Sequence, residues 1–369
     1  MDRYLPTDKI DVYHTDLDDG YWTTHKTDGE IPPGTSGAVA ILVKYNLYIF
    51  GGHTELGHPS NDLYCCDLRT LTWEKVIPKS EQQPCPRDKF IGCHANNKLY
   101  YFGGYGYKYD DYDKYLIETG KFVVDYSHSN VTGKGWNDQL VVFDIEEKTW
   151  SDPGCKGIAP LARAAHASIL LGNTLYIFGG RHQDRRLNDL HCLNIDTLTW
   201  SGELHTEGPI PCGRSWHTFT AISKDQGFMY GGYSHSGVPL SDAWVLNVVD
   251  KRWCQLDVPS DRPRLWHTCC CCADNGDIMV FGGCENDILN WEQESIHSNA
   301  VITFQLQPPS LKRLCLQTTY HHVNPEYWND LPKMLSDWLH KREKLEQLKR
   351  HGASNERSNL RKGSTCVIS

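Results

Sequence analysis

Two arginines that break a repeating pattern are the residues best suited to chemistry in this chain. Arg181 and Arg186 lie close together in the segment Arg181-His182-Gln183-Asp184-Arg185-Arg186. Two guanidinium groups at one site form a fork that matches a carboxylate or a phosphate. The alternative interpretations are a solvated surface or an ion pair with Asp184. The sequence therefore indicates an anion-binding site without fixing the anion.

Three further tryptophans are candidates for pocket walls. Trp136, Trp216 and Trp266 stand near expected strand starts, apart from the tryptophans that belong to the repeat described below. By contrast, no Walker loop, no Gly-x-Ser-x-Gly and no His-Glu-x-x-His occurs in the chain. The sequence thus favours binding over catalysis, and we expect no catalytic residue, no cofactor and no metal site.

Glycine pairs that follow apolar runs divide the chain into repeats. Their spacings are 52, 76, 52 and 51 residues, and the pairs are Gly51-Gly52, Gly103-Gly104, Gly179-Gly180, Gly231-Gly232 and Gly282-Gly283. A tryptophan follows each of the first four pairs: Trp73, Trp150, Trp200 and Trp253. An Arg-x-x-His motif precedes the last three pairs: Arg163/His166, Arg214/His217 and Arg264/His267. A period near fifty with about four short apolar strands per repeat is typical of a kelch β-propeller.

The predicted fold is all-β: a six-bladed kelch β-propeller in residues 1–307, followed by a short C-terminal α-helical adaptor segment. Trp22 has no glycine pair before it. We therefore expect the chain to begin inside the first blade, which would lack about two strands. Five complete blades should follow, the last ending near Val301–Phe304. The 76-residue spacing predicts a long loop from Tyr105 to Gly135, of a kind that often shapes a binding site.

Composition narrows the class of protein and its partners. The net charge is −9, and the acidic balance before residue 310 argues against nucleic acid as the main partner. The first residues contain no apolar run of a signal peptide. We therefore expect a cytoplasmic or nuclear protein in which the 15 cysteines stay reduced.

The residues after the propeller carry a different pattern. Apolar residues at helical spacing predict helices within 308–345, either exposed for a partner or packed on the propeller; they are Leu311, Leu314, Cys315, Leu331, Met334, Leu335, Trp338 and Leu339. Residues 346–369 are polar and basic and predict a flexible tail. The ending Cys366-Val367-Ile368-Ser369 fits a prenylation pattern, so membrane attachment is expected only if Cys366 is modified.

Several runs, taken together, resemble one kelch family. They are Pro86-Arg87-Asp88-Lys89, Gly103-Gly104-Tyr105-Gly106-Tyr107, Gly135-Trp136-Asn137-Asp138, Gly179-Gly180-Arg181, Arg186-Leu187-Asn188-Asp189, Gly213-Arg214-Ser215-Trp216-His217 and Arg262-Pro263-Arg264-Leu265-Trp266-His267. Over about residues 3–340, the chain resembles the Kelch domain-containing substrate receptors of cullin-2 ubiquitin ligases, which read C-terminal glycine degrons.

That resemblance implies a peptide pocket. Its Arg181, Arg186 and Ser215 would hold the terminal carboxylate of the substrate. The pocket walls and the contacts to the peptide backbone would come from Lys89, Tyr105, Trp136, Trp216 and Trp266. Bulky aromatic walls would leave no room for a Cβ and would select glycine.

The resemblance also gives the tail a role. Ser310-Leu311-x-x-x-Cys315 resembles an elongin-C-binding BC-box, although Thr319 stands where that pattern has an aliphatic residue. Leu331-Pro332-x-x-Leu335 resembles a cullin-2 box. The implied function is a receptor subunit that presents C-terminal peptides of target proteins to a ligase built on cullin-2 and elongins B and C.

Two other functions remain open from the residues alone. A kelch scaffold would bind a protein partner through its blade loops, with no dependence on a free C-terminus. A propeller enzyme such as a copper oxidase would need His and Tyr ligands near the axis, where this pattern has Arg and Trp.

Overall fold

The computed structural model describes residues 7–15, 20–107, 122–127, 133–259, 261–272, 276–290, 292–308 and 311–356. Antiparallel sheets that follow one another along the chain form the blades of a kelch propeller, as predicted. A short helical segment follows the last blade. Residues 310 and 366, which the sequence assigns to the BC-box and to prenylation, lie outside the described residues.

Strand bounds define six blades. Blade 1 is a two-stranded sheet of β1 (Lys9–His14) and β2 (Tyr21–Lys26). Blade 2 contains β5 (Val39–Val43), β6 (Asn46–Phe50), β8 (Leu63–Asp67) and β9 (Thr72–Val76). Blade 3 contains β11 (Ile91–Ala95), β12 (Lys98–Phe102), β16 (Leu140–Asp144) and β17 (Thr149–Ser151). Blade 4 contains β19 (Ala167–Leu171), β20 (Thr174–Phe178), β23 (Leu190–Asn194) and β24 (Thr199–Glu203). Blade 5 contains β26 (Thr218–Ala221), β27 (Gln226–Ser234), β28 (Pro239–Asn247) and β29 (Arg252–Leu256). Blade 6 contains β30 (Thr268–Cys271), β31 (Ile278–Phe281) and β32 (Val301–Phe304).

Shorter strands complete the sheets. Two lie parallel to the outermost strands of blades 2 and 4: β3 (Asp28–Gly29) and β18 (Lys156–Ile158). The others lie between the blades and one face of the ring: β4 (Thr35–Ser36), β7 (His53–Thr54), β10 (Arg87–Asp88), β13 (Tyr105–Tyr107), β14 (Phe122–Val124), β15 (Lys134–Asn137), β21 (Arg181–His182), β22 (Arg185–Arg186) and β25 (Arg214–Ser215).

Two sequence expectations about the blades are corrected. Blade 6 has three strands within the described part of the chain, not four. It is also the one blade after a glycine pair that lacks the repeat tryptophan, which was the available signal. Second, the segment from Tyr105 to Gly135 is not only a loop, because β13, β14 and the start of β15 pair within it.

An aromatic contact that recurs between neighbouring blades closes the ring. The tryptophan on the last strand of one blade packs against the phenylalanine that precedes the glycine pair of the blade before it. The ring centroids lie 4.7 Å apart for Trp150 and Phe50, 4.9 Å for Trp200 and Phe102, and 5.0 Å for Trp253 and Phe178. Trp22 of blade 1 makes the same contact with Phe281 of blade 6 at 4.8 Å. The two-stranded blade 1 therefore occupies the position that follows blade 6.

The first four glycine pairs are required where their blade meets the next one. In Gly231-Gly232, both residues have positive φ, and the second N–H donates to the carbonyl of Arg264 in the following repeat at 2.7 Å. A Cβ on Gly231 would lie 2.4 Å from that carbonyl oxygen. Glycine is thus fixed at this position by both the backbone conformation and the close approach of the next blade.

The Arg-x-x-His motifs are structural. The guanidinium of Arg163 makes two 2.7 Å bonds to Asp189, and that of Arg214 makes bonds of 2.7 and 2.8 Å to Asp242. Burial, followed by the charge of Arg163, lowers the pKa of His166 to about 3. Its ring packs edge-on against Phe102 of the preceding blade. These histidines are therefore neutral parts of the core.

The segment after the propeller is helical. It consists of α1 (Leu311–His322), a 3-10 helix (Pro325–Asp330) and α2 (Lys333–Glu356). The guanidinium of Arg342 lies 4.3 Å from the Tyr320 ring centre, and the Tyr320 hydroxyl donates to Glu343, so α2 packs against α1. The predicted flexible tail from residue 346 differs from the structure, because α2 continues to Glu356. Its residues after 346 include Gln, Leu, Lys and Arg, which are good helix formers.

Candidate functional site

A chain of backbone hydrogen bonds surrounds the axis of the propeller at one face. It joins equivalent residues of blades 2 to 6, which all have φ between 54° and 67°: Gly37, Lys89, Ala165, Trp216 and Trp266. Each N–H donates to the carbonyl of the preceding member, at 2.8, 2.7, 2.9 and 2.8 Å. This geometry places the side chains of Lys89, Trp216 and Trp266 around the mouth of the ring.

A second set of residues lies directly beside this chain of hydrogen bonds. Each residue that precedes a member of the hydrogen-bonded chain pairs with the residue that follows the glycine pair of the same blade. These pairs are Ser36 with His53, Asp88 with Tyr105, Ala164 with Arg181, Ser215 with Tyr233, and Leu265 with Cys284. The repeat geometry therefore brings Tyr105, Arg181 and Ser215 to the same face as Lys89 and the two tryptophans.

Arg181 and Arg186 face each other across a two-stranded hairpin. They are direct partners in the β21–β22 pairing. The Nε of Arg181 donates to the carbonyl of Gln183 at 2.7 Å, which leaves its two terminal amino groups for a ligand. The predicted alternative, an ion pair with Asp184, does not occur.

Arg186 is held from two sides. Its Nε donates to the Ser215 hydroxyl at 3.1 Å, and its guanidinium carbon lies 4.4 Å from the ring centre of Tyr233. Burial, followed by the positive charge of Arg181, lowers the pKa of Arg186. A half-buried arginine beside another arginine creates a positive potential that an anion would relieve.

Aromatic and cationic groups continue the site on one side of the arginines. The rings of Trp216 and Tyr233 lie 6.0 Å apart, and Trp216 stacks on Trp266 at 5.7 Å with 12° between the planes. The Nζ of Lys89 lies 5.4 Å from the centre of the Trp266 ring. A continuous series of contacts therefore runs from Arg186 to Lys89.

On the other side, the guanidinium of Arg181 lies 5.9 Å from the Trp136 ring centre. Trp136 in turn packs against Tyr105, with centroids 5.4 Å apart. A pocket of about 280 Å³ opens here, lined by Trp136, Arg181 and residues 124–127, 183 and 184. All eight residues that the sequence assigns to the peptide pocket are thus linked in one cluster. Trp136 is only 3% exposed, so it supports the pocket from behind rather than forming an open wall.

The two pocket arginines differ in their charge partners from the three arginines of the Arg-x-x-His motifs. Arg163, Arg214 and Arg264 each lie within 4 Å of an acidic side chain. Neither Arg181 nor Arg186 has such an ion pair with any residue that the structure describes. The pocket therefore concentrates two uncompensated guanidinium groups beside aromatic faces, which suits a carboxylate ligand with little side-chain bulk.

Sequence reasoning did not assign two further residues of the cluster. Tyr233 connects Arg186 to Trp216, and burial, followed by a hydrogen bond with Asp287, raises its pKa to about 12. Asp125 accepts a 2.9 Å bond from the Tyr105 hydroxyl. Tyr233 had a detectable signal, because it follows a glycine pair in the same position as Arg181 and Tyr105. Asp125 had none, because its position depends on the pairing of β14 and β15.

The residues assigned to elongin and cullin binding lie in the helical segment. Leu311 is 80% exposed, and Cys315, one turn later, is also exposed. On the following elements, Leu331 and Leu335 are half-buried and Pro332 is exposed. The segment therefore presents apolar side chains of α1 at its surface.

The described ranges contain no group of three or more His, Cys, Asp or Glu side chains arranged to hold a metal ion. No helix among them is long and apolar enough to cross a membrane.

Comparisons with known proteins agree with this architecture. Residues 4–232 and 125–313 match the family described as the KLHDC2/KLHL20/DRC7 Kelch-repeats domain. The chain is 43% identical over 319 residues to Kelch domain-containing protein 1 of Mus musculus, covering 85% of this chain and 76% of that protein. It is 40% identical over 345 residues to Kelch domain-containing protein 2 of Homo sapiens, covering 90% and 82%. Host cell factor 1 of Rattus norvegicus is more distant, with 30% identity over 277 residues and 14% of its length covered.

Proposed function

The chain belongs to the KLHDC2/KLHL20/DRC7 Kelch-repeats family, and from this premise we propose that its propeller binds the C-terminal carboxylate of proteins that end in glycine. The chain would act as the substrate-recognition subunit of a cullin-2 RING ubiquitin ligase that includes elongins B and C. Kelch-repeat proteins are generally non-catalytic binding scaffolds, and this role assigns ubiquitin transfer to the partner subunits.

One observation carries the proposal. Arg181 and Arg186 are cross-strand partners without an acidic partner among the described residues, whereas the structural arginines Arg163 and Arg214 each bind an aspartate. A carboxylate that enters between the two pocket arginines would receive charge-assisted hydrogen bonds from both. Each such bond contributes about 1.5–3 kcal/mol net. Ser215 holds Arg186 in place for this contact.

The aromatic residues support the preference for glycine. Tyr233, Trp216 and Trp266 lie beside Arg186, and Trp136 lies beside Arg181. In this arrangement a peptide terminus approaches the arginines between rigid rings. Glycine fits because it has no Cβ and accepts backbone conformations closed to other residues. Lys89 at the mouth would donate to a main-chain carbonyl of the same peptide.

The helical segment supports the ligase role. Leu311 and Cys315 lie on exposed turns of α1, where a BC-box would contact elongin C. Leu331 and Pro332, just before α2, and Leu335, in its first turn, would contact cullin-2. The two functions use separate parts of the chain, so each is testable alone.

The sequence preference of the pocket tests the proposal. Binding of a fluorescent peptide ending in Gly-Gly is compared with that of the same peptide ending in Gly-Ala, using fluorescence anisotropy. We expect the alanine peptide to bind at least tenfold more weakly, because its methyl group meets the aromatic rings. Equal affinities would refute the proposed selectivity for glycine.

A further inference from the structure

A buried carboxylate lies beside the peptide site and is not part of the pocket proposed above. The side chain of Asp88 is only 2% exposed and forms an ion pair with Lys89 through its Oδ2. Its Oδ1 is also buried and has no hydrogen-bond partner among the described residues. A buried carboxylate oxygen without a partner is unfavourable. Fold stability alone therefore does not explain why an aspartate occupies position 88.

The other blades show which residue types are tolerated at the position equivalent to Asp88. Asp88 pairs with Tyr105 just as Ser215 pairs with Tyr233, so the two residues are equivalent in blades 3 and 5. The other equivalent residues are Ser36, Ala164 and Leu265. Blade geometry therefore tolerates small or apolar residues here, and an ionised group is not needed to build the blade.

Lys89 is the group on which Asp88 acts. Its backbone is fixed in the left-handed region, and its N–H donates to Gly37. Its side chain has four rotatable bonds, and an ammonium left in water would sample many directions. The ion pair with Asp88 restricts the Nζ to a place 5.4 Å from the Trp266 ring centre, at the mouth of the site.

We propose that Asp88 is a positioning residue, which holds the Lys89 ammonium over the mouth so that it donates to a main-chain carbonyl of the bound peptide. This inference rests on the proposed function. Asp88 itself touches no peptide atom in this account. Its contribution to affinity therefore passes entirely through Lys89.

The positioning role predicts that Asp88→Asn changes peptide affinity in the direction opposite to that expected from the loss of charge alone. Asp88→Asn removes a negative charge near a site for an anion, which by itself would strengthen binding of a carboxylate. If Asp88 positions Lys89, the same substitution instead weakens binding. Asp184→Asn is the matched charge control, because Asp184 lines the pocket beside Arg181 but has no contact with Lys89.

The experiment is a double-mutant cycle on the full chain. Affinity for a Gly-Gly peptide acid is measured for wild type, Asp88→Asn, Lys89→Met and the double variant, with thermal unfolding in parallel. We expect about a tenfold loss for each single variant, equal to one charge-assisted hydrogen bond, and no further loss in the double variant. Asp184→Asn should bind slightly more tightly than wild type. Asp88→Ser serves as a second variant, since serine occupies the equivalent position in blades 2 and 5.

The outcomes separate this role from the function on which it rests. A folded Asp88→Asn or Asp88→Ser variant that binds as tightly as wild type, or more tightly, overturns the positioning role alone. Losses that multiply in the double variant also overturn it, because they show that Asp88 acts independently of Lys89. A wild-type chain that does not bind the peptide removes the proposed function, and the role of Asp88 with it.

Discussion

Replacing Arg186 with glutamine should separate binding from folding. Arg186 uses its Nε for Ser215, so its two terminal amino groups remain for the peptide carboxylate. Arg186→Gln removes the charge and both of these groups. At about 1.5 kcal/mol for each lost bond, the lower value suited to a half-exposed site, the total is about 3 kcal/mol. This corresponds to about a hundredfold increase in Kd.

The same substitution should affect stability less than binding. It removes a cation–π contact with Tyr233, worth about 0.5–1 kcal/mol at a partly exposed site, and the hydrogen bond to the Ser215 hydroxyl, worth about 1 kcal/mol. It also relieves the burial of the charge and the repulsion by Arg181 that lower the pKa of Arg186. These effects oppose each other, so we expect a change in the free energy of unfolding below about 2 kcal/mol.

Arg214→Gln is the matched control on a structural arginine. Arg214 is fully buried and bonds to both carboxylate oxygens of Asp242. Its loss removes the charge partner of the partly buried Asp242 carboxylate, which keeps the hydrogen bond from the Trp244 indole, and should cost about 3 kcal/mol of stability, the lower end of the range for a broken buried ion pair. Peptide anisotropy and urea unfolding are measured for both variants. An Arg186→Gln protein that is folded and binds the peptide acid with wild-type affinity would refute the assignment of the carboxylate site.

Three other predictions concern the blades, the core and the tail. Gly231→Ala should lower the free energy of unfolding by clearly more than Gly282→Ala, because both residues have positive φ but only Gly231 has a neighbouring carbonyl 2.4 Å from the added Cβ. Lowering the pH from 7.5 to 5.5 should lower the free energy of unfolding by up to about 4 kcal/mol. Three buried histidines have native pKa values below the 6.5 of the unfolded state: His166, His217 and His267. Their protonation in the unfolded state stabilises that state by about 1.4 kcal/mol per histidine. Leu311→Glu should abolish capture of elongin C without changing peptide affinity, because Leu311 is 80% exposed and lies in the helical segment.

One measurement would contradict each of these three predictions. Equal losses of stability in the two glycine variants, measured by urea unfolding, would show that the contact with the next blade is unimportant. A stability independent of pH between 7.5 and 5.5 would show that the three histidines are not held neutral in the native protein. Undiminished capture of purified elongin C by Leu311→Glu would contradict the BC-box assignment.

Much of the architecture can be predicted from the sequence because each residue type that recurs in the repeat has one geometrical cause. The glycine pair is needed where the next blade approaches, and Trp150 packs on Phe50 of the preceding blade. Such local rules recur at a fixed period and are visible without coordinates. The same periodicity brings Arg181 and Ser215 to one face, but a role for Ser215 was implied only by the family resemblance.

The remaining features depend on contacts between distant segments. Asp125 reaches Tyr105 only because β14 and β15 pair inside the long insertion. The ion pair of Asp88 with Lys89 is local, but its place over Trp266 depends on the closure of the ring across three blades. The end of α2 at Glu356 was missed because polar composition resembles a flexible tail, although its residue types favour helix.

Binding of a peptide ending in Gly-Gly, as the free acid and as the C-terminal amide, tests the central claim most directly. Isothermal titration calorimetry of the recombinant full chain gives both affinities under one condition. The account predicts that the acid binds at least a hundredfold more tightly, because only the carboxylate engages both Arg181 and Arg186. Equal affinities for acid and amide, or binding of neither peptide by the folded chain, would contradict it.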